Sequence, residues 1–219
     1  MAKPTAASSR RGVLRTVILL AIFIALLLAG FVYKMTKPRV LSDAALRANN
    51  AFLFDKVRDI GNFSLLDDNG KAFTPAALKG HWSLLFFGYT FCPDVCPTTM
   101  AVLSQFYGKL RPEFAPDTQV IMVSVDPARD NSAKMHEYVN YFNPKFRGVT
   151  GEFIALQQFA TALSIPFSKV PGGGDNYVIA HSGNIVLIDA DGHYVGFFKE
   201  PHELNQLLMN YQSIRVTRD

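Results

Sequence analysis

Two cysteines stand four positions apart in Gly88-Tyr89-Thr90-Phe91-Cys92-Pro93-Asp94-Val95-Cys96-Pro97, and the chain has no others. Three chemistries are open to such a pair: a structural disulfide, a redox dithiol or a metal site. A Cys92–Cys96 disulfide would close a very small loop and gain little from it. Redox motifs of the thioredoxin kind usually place two residues between the cysteines, and here there are three. The additional residue lets both sulfurs face one external ion, so a metal site is the preferred reading. The apolar run Trp82–Tyr89 reads as a strand buried on both faces. Pro97–Leu110 reads as a helix with a proline in its first turn. Cys92 is then expected in a loop and Cys96 at the helix mouth, because a proline disfavours helical backbone in the residue before it. The free N–H groups and positive dipole end of a helix N-terminus favour a thiolate and lower a thiol pKa.

Two thiolates need a third ligand, and the chain offers five histidines. His81 lies at the amino end of the central strand, the wrong end for this site. His136 falls on a polar helix face. His193 follows a tight turn and His202 follows Pro201, so both are expected to be exposed. His181 differs: it ends a predicted strand, Tyr177–Ala180, and leads into Ser182-Gly183 beside the cysteine-bearing helix. Two thiolates and one imidazole form a soft, low-coordinate set that suits copper, Cu(I) above all, and Cu(II) with a further ligand. Structural zinc normally takes four protein ligands. Asp126 closes the second buried strand, Gln119–Val125. It reads equally well as an acid behind the ligands that shapes the metal loop or meets a partner, and as a cap on the next helix. Met100, one turn beyond Cys96, is assigned to the core by its helical spacing. Pro171-Gly172-Gly173-Gly174-Asp175 lacks the Lys-Ser/Thr of a phosphate loop and reads as a flexible loop near His181.

The elements that must position these residues alternate along the chain. Phe63–Leu66 and Ala72–Phe73 flank Asp67-Asp68-Asn69-Gly70, whose Asn-Gly marks a hairpin. After the central strand and its helix come the strand Gln119–Val125 and the helices Ser132–Tyr141 and Phe153–Leu163. Strands at Tyr177–Ala180, Asn184–Asp189 and His193–Phe198 follow, then a helix at Glu203–Tyr211. A βαβα half followed by a ββα half is the order of a thioredoxin-like α/β domain. Such a fold places a site at the carboxyl ends of the parallel strands.

The chain has 219 residues, with hydrophobic residues at 49% and charged residues at 18%, which excludes a disordered chain. The net charge of +4 is unevenly spread: residues 1–47 carry eight Lys/Arg against Asp43 alone. The remainder is mildly acidic, which argues against nucleic-acid binding. Lys3, Arg10, Arg11 and Arg15 precede an apolar run from Val17 to Tyr33. Counted from Val13, that run spans about 31 Å as a helix, enough to cross a bilayer. Leu27-Leu28-Ala29-Gly30-Phe31 offers no clear small-x-small cleavage site, so an uncleaved anchor is expected rather than a signal peptide. The basic flank keeps the N-terminus cytoplasmic and puts the globular part in an oxidising compartment, where a free thiol pair needs a reductant or a metal. The expected division is a cytoplasmic N-terminus at 1–12, a transmembrane anchor at 13–33, a linker at 34–59 and the copper-binding domain at 60–219. The stretch 44–58 stays open between helix and strand. The 12 residues before Val13 are few for an organelle-targeting extension, which favours a bacterial inner membrane with the domain in the periplasm.

The cysteine motif with its flanks, then Val125-Asp126-Pro127 with Arg129-Asp130, then His181-Ser182-Gly183, resembles the SCO/SenC family over roughly residues 60–212. The family commonly has an acid directly before the histidine, where this chain has Ala180. The resemblance implies a thioredoxin-like domain tethered to an inner membrane, with copper held by Cys92, Cys96 and His181. It also implies a task, assembly of the binuclear copper site of cytochrome c oxidase subunit II; the upstream copper donor stays unnamed. Two functions of different class remain open. A metallochaperone would pass copper by ligand exchange and turn over no substrate. A thiol–disulfide oxidoreductase would reduce the cysteines of that target or act in redox signalling, with Cys92 as the attacking sulfur. A thiol peroxidase is a third, weaker reading.

Overall fold

The computed structural model describes residues 6–36, 40–172, 174 and 177–218. The chain divides into an N-terminal unit, Met1–Arg39, and a compact unit, Val40–Asp219. The helix α1 (Ala6–Thr36) contains Gly12–Lys34, a stretch long and apolar enough to cross a membrane. It encloses the span expected from the sequence.

The compact unit begins earlier than residue 60. Helix α2 (Asp43–Ala48) is capped by the Ser42 side chain, which accepts from the Ala45 N–H. Asn50, at φ 63°, turns the chain into strand β1 (Ala51–Arg58). Much of the expected linker is therefore structured, and the ambiguous stretch 44–58 is helix and then strand. β1 is an edge strand in which Ala51 alone is fully buried, so no inward–outward alternation marks it in the sequence.

The hairpin forms as expected from β2 (Leu65–Asp67) and β3 (Ala72–Phe73). Asp67 Oδ1 accepts from the Asn69 and Lys71 N–H groups across the turn. Then come β4 (Trp82–Gly88), α3 (Val95–Gly108), β5 (Thr118–Ser124), α4 (Ser132–Phe142), β6 (Arg147–Thr150) and α5 (Phe153–Ala162). The chain closes with β7 (Phe167–Lys169), β8 (Ile179–His181), β9 (Ile185–Ile188), β10 (Tyr194–Phe198) and α6 (Leu204–Arg218). The main sheet runs β1-β10-β9-β4-β5-β6-β2-β3. β4, β5 and β6 are parallel, and β9 is antiparallel to β4. The β4-α3-β5 and β9-β10-α6 units make this a thioredoxin-like fold, with the carboxyl ends of β4 and β5 side by side. Every residue of β4 is buried, which matches its continuous apolar run.

Four more elements differ from expectation, and one of them, β7, lies where no strand was expected. β6 was not foreseen, because Arg147-Gly148-Val149-Thr150 carries no apolar run. Its Gly148 is needed for packing, since a Cβ there would lie 2.8 Å from Met135 Cβ of α4. β8 is Ile179–His181 rather than Tyr177–Ala180, and it pairs with β7 in a ribbon separate from the main sheet. α6 continues past Tyr211 to Arg218 because Arg215, although charged, is buried there: its guanidinium pairs with Asp117 at 2.7 Å and lies over the Trp82 ring.

Candidate metal centre

β4 delivers the chain to the site edge at Gly88. The Cys92 N–H donates to Tyr89 O at 3.2 Å, closing a turn, and α3 opens at Val95. Cys96 thus lies in the first helical turn with Pro97 after it, one step further into the helix than expected. Both thiols are free; Cys92 is half-buried and Cys96 fully buried. Gly88 makes room for Cys96: a Cβ there would meet its Sγ at 2.8 Å and Phe86 Cε1 at 2.9 Å.

His181 arrives from the ribbon. Its Nε2 lies 3.5 Å from Cys96 Sγ, and its ring sits edge-on to Phe86 and Tyr89. Its Nδ1 lies 3.1 Å from Ser182 O. A carbonyl only accepts, so Nδ1 carries the proton and Nε2 offers its lone pair toward the sulfur. The Cys96 S–H is then the donor to Nε2. Cys92, Cys96 and His181 bring their ligand atoms within 4.8 Å of one another. A second such group, Asp189, Asp191 and His193, belongs to the β9–β10 turn, where Asp189 Oδ1 accepts from the Asp191 and His193 N–H groups.

The electrostatics correct one expectation. Burial pushes the Cys96 thiol up, not down, and the nearby Cys92 and Asp130 push the same way. Loss of solvation outweighs the helix N-terminus when the sulfur is fully enclosed. The proton stays on Cys96 until something displaces it. Burial also lowers the His181 pKa, which keeps its imidazole neutral and ready to ligate.

Asp126 is buried but does not cap α4; Asn131 does, accepting from the Lys134 N–H at 2.9 Å. Instead, Tyr177 OH donates to Asp126 Oδ1 at 2.6 Å and the Arg129 guanidinium pairs with Oδ2. The residue missed by sequence reasoning is Asp130. Fully buried, its carboxylate accepts from Thr90 N–H at 3.0 Å, Thr90 Oγ1 at 2.6 Å and Ser124 Oγ at 2.8 Å. It ties the cysteine turn to the end of β5. Its only sequence signal is its place in Asp126-Pro127-Ala128-Arg129-Asp130.

The other histidines stand apart from the cysteines, but two of them, His193 and His202, are less exposed than expected. His202 is half-buried and its Nε2 donates to Gly183 O at 2.7 Å, bracing the turn after His181. His136 is exposed on its helix face and bonds buried Asp68 at 3.0 Å. Met100 is buried in the core. Of the glycine-rich loop, Gly173 and Asp175 lie outside the described residues.

The SCO1/SenC family model matches residues 55–214. The chain belongs to that family. It is 36% identical over 174 residues to a protein of Stutzerimonas stutzeri that bears the name of a copper-binding protein, covering 78% of this chain and 85% of the relative. It resembles the structure of Arabidopsis thaliana ScoI with copper bound, with a TM-score of 0.67 and 32% identity over 71% of this chain and 98% of that one. The copper-bound ScoI of Bradyrhizobium japonicum gives a TM-score of 0.62 and 35% identity over 72% and 97%. For an SCO1/SenC protein, two sulfurs and one imidazole nitrogen at one point form a soft, three-donor set, and this chemistry fits Cu(I) better than zinc.

Proposed function

We propose that this protein is a membrane-tethered copper carrier that holds Cu(I) between Cys92, Cys96 and His181 and hands it to the binuclear copper site of cytochrome c oxidase subunit II. Copper here is cargo. The observation that carries the reading is the convergence of the three donor atoms within 4.8 Å at the carboxyl end of β4. The copper-bound relatives support the choice of metal. A thiol loses its proton when it ligates, so loading releases the Cys96 proton, and His181 binds without releasing one. Gly12–Lys34 would anchor the protein in an inner membrane, with the domain on the periplasmic side. In this reading Asp126 shapes the loop behind the ligands rather than binding copper.

The experiment is a Cu(I) competition titration of the reduced full-length protein in detergent, followed by mixing with copper-free subunit II. One copper per chain is expected. Binding should weaken in Cys92→Ser, Cys96→Ser and His181→Ala, and copper should appear in the acceptor after separation. Absence of competitive binding in the wild type would overturn the reading.

A second reading, thiol–disulfide exchange, is favoured by the unequal exposure of the cysteines. The Cys92 thiolate would attack a target disulfide to give a mixed disulfide. Cys96 would then displace the target, which leaves with both thiols reduced, while a Cys92–Cys96 disulfide stays behind. His181→Ala separates the two: exchange survives it unchanged, whereas copper binding weakens.

A further inference from the structure

His181 stands on a weak platform. β7 and β8 are three residues each and form a ribbon separate from the main sheet. A two-stranded ribbon has little stability of its own. A cleft of about 530 Å³, lined by Val125, Asp126, Phe153, Phe167 and Tyr177 among others, opens where the ribbon faces the ends of β5 and β6. Something other than sheet hydrogen bonds must fix the histidine against the cysteines.

Arg129 fits that need. Its Nη2 donates to Tyr177 O at 3.0 Å, and its guanidinium lies 3.7 Å from the centre of the Tyr177 ring. It also reaches the rings of Phe91 at 4.8 Å and Tyr89 at 5.7 Å. Phe91 immediately precedes Cys92, and Tyr177 lies four residues before His181. Asp126 holds Arg129 in place and also accepts from Tyr177 OH, so one carboxylate braces both partners. Tyr89 OH accepts from the Ile179 N–H at 3.3 Å, a further link between the cysteine turn and the ribbon. The planar guanidinium combines stacking with directed hydrogen bonds, which an ammonium does not.

We infer that Arg129 is a positioning residue that clasps the histidine ribbon to the cysteine turn and thereby sets how firmly His181 holds copper. The inference rests on the three-ligand reading above. The clasp acts through His181, so its loss matters only where His181 is present. Groups behind metal ligands commonly change affinity by about 10- to 100-fold.

The test is a double-mutant cycle on the full-length protein in detergent, read by Cu(I) competition, with a copper-free control. Arg129→Gln should weaken Cu(I) binding about 10-fold in the wild-type background and leave it unchanged in the His181→Ala background. Tyr177→Phe, which removes one hydroxyl, should show the same pattern at about 3-fold. Equal weakening in both backgrounds, or no weakening in either, would overturn the clasp. If Arg129→Gln fails to fold, Tyr177→Phe decides by the same comparison. Without copper, the His181 ring should give one sharp set of NMR signals in the wild type and broadened or multiple signals in both variants. Unchanged signals would overturn the clasp whatever copper does. Copper binding that ignores His181→Ala would instead defeat the three-ligand reading, while the NMR result still judges the clasp.

Discussion

Cys96 rides on α3 beside β4, a strand whose seven residues are all buried, with Asp130 binding the cysteine turn to β5. His181 rides on a three-residue strand whose Ala180 is exposed and whose pairing is with β7. The same three-donor point is thus reached from one stiff side and one lightly held side. The contrast suits a carrier. In the proposed carrier, two donors would keep the ion while the third yields to an incoming ligand, and the energy of yielding would be set by a few contacts rather than by the core. A site walled in the core on both sides would bind well and release slowly.

The largest effect should come from breaking the stiff side. Gly88→Ala forces a Cβ against Cys96 Sγ and Phe86. It should lower Cu(I) affinity by about 100-fold and destabilise the fold by about 1–3 kcal/mol, read by competition titration and denaturant melts. The lightly held side should behave otherwise. His181→Ala should lower Cu(I) affinity by about 10- to 100-fold while changing unfolding free energy by less than about 1 kcal/mol, because the ring is half-buried and on the ribbon. A large loss of stability there would erase the contrast.

The protonation states sharpen it further. Burial raises the Cys96 thiol, so the metal-free protein binds that proton more tightly folded than unfolded. Its stabilising contribution is complete below the ordinary thiol range and is lost as pH rises past about 8.5. Copper loading must expel the same proton, so apparent Cu(I) affinity should rise by at least about 10-fold per pH unit across neutral pH. A flat profile would mean Cys96 is already a thiolate. The smallest effect lies within the cysteine pair: in the reduced, copper-free protein, alkylation should reach half-buried Cys92 before buried Cys96, as mass mapping of the labelled thiols would reveal.

The stiff side was legible in the sequence because its signals are local. The apolar run Trp82–Tyr89, the spacing of Cys92 and Cys96 and the proline at 97 place a buried strand, a turn and a helix without further information. The candidate role of His181 followed from fold order alone. What escaped depends on long-range packing. β6 is short and carries Arg147 and Gly148. β7 pairs with a strand a dozen residues away across the glycine-rich loop. Asp130 and Arg129 show their use only when β4, β5 and the ribbon converge. The thiol pKa was misjudged because a helix end can be read from sequence, whereas full enclosure of one sulfur cannot.

In the proposed site, a stiff pair of sulfurs and one lightly held imidazole meet on a single copper ion. Copper X-ray absorption on the Cu(I)-loaded full-length protein tests it directly, since sulfur and nitrogen scatterers are distinguished and counted. Two sulfurs and one imidazole nitrogen per copper are expected, with the nitrogen contribution absent in His181→Ala and the two sulfurs unchanged. Three or more sulfurs per copper, or a wild-type spectrum identical to that of His181→Ala, would contradict it.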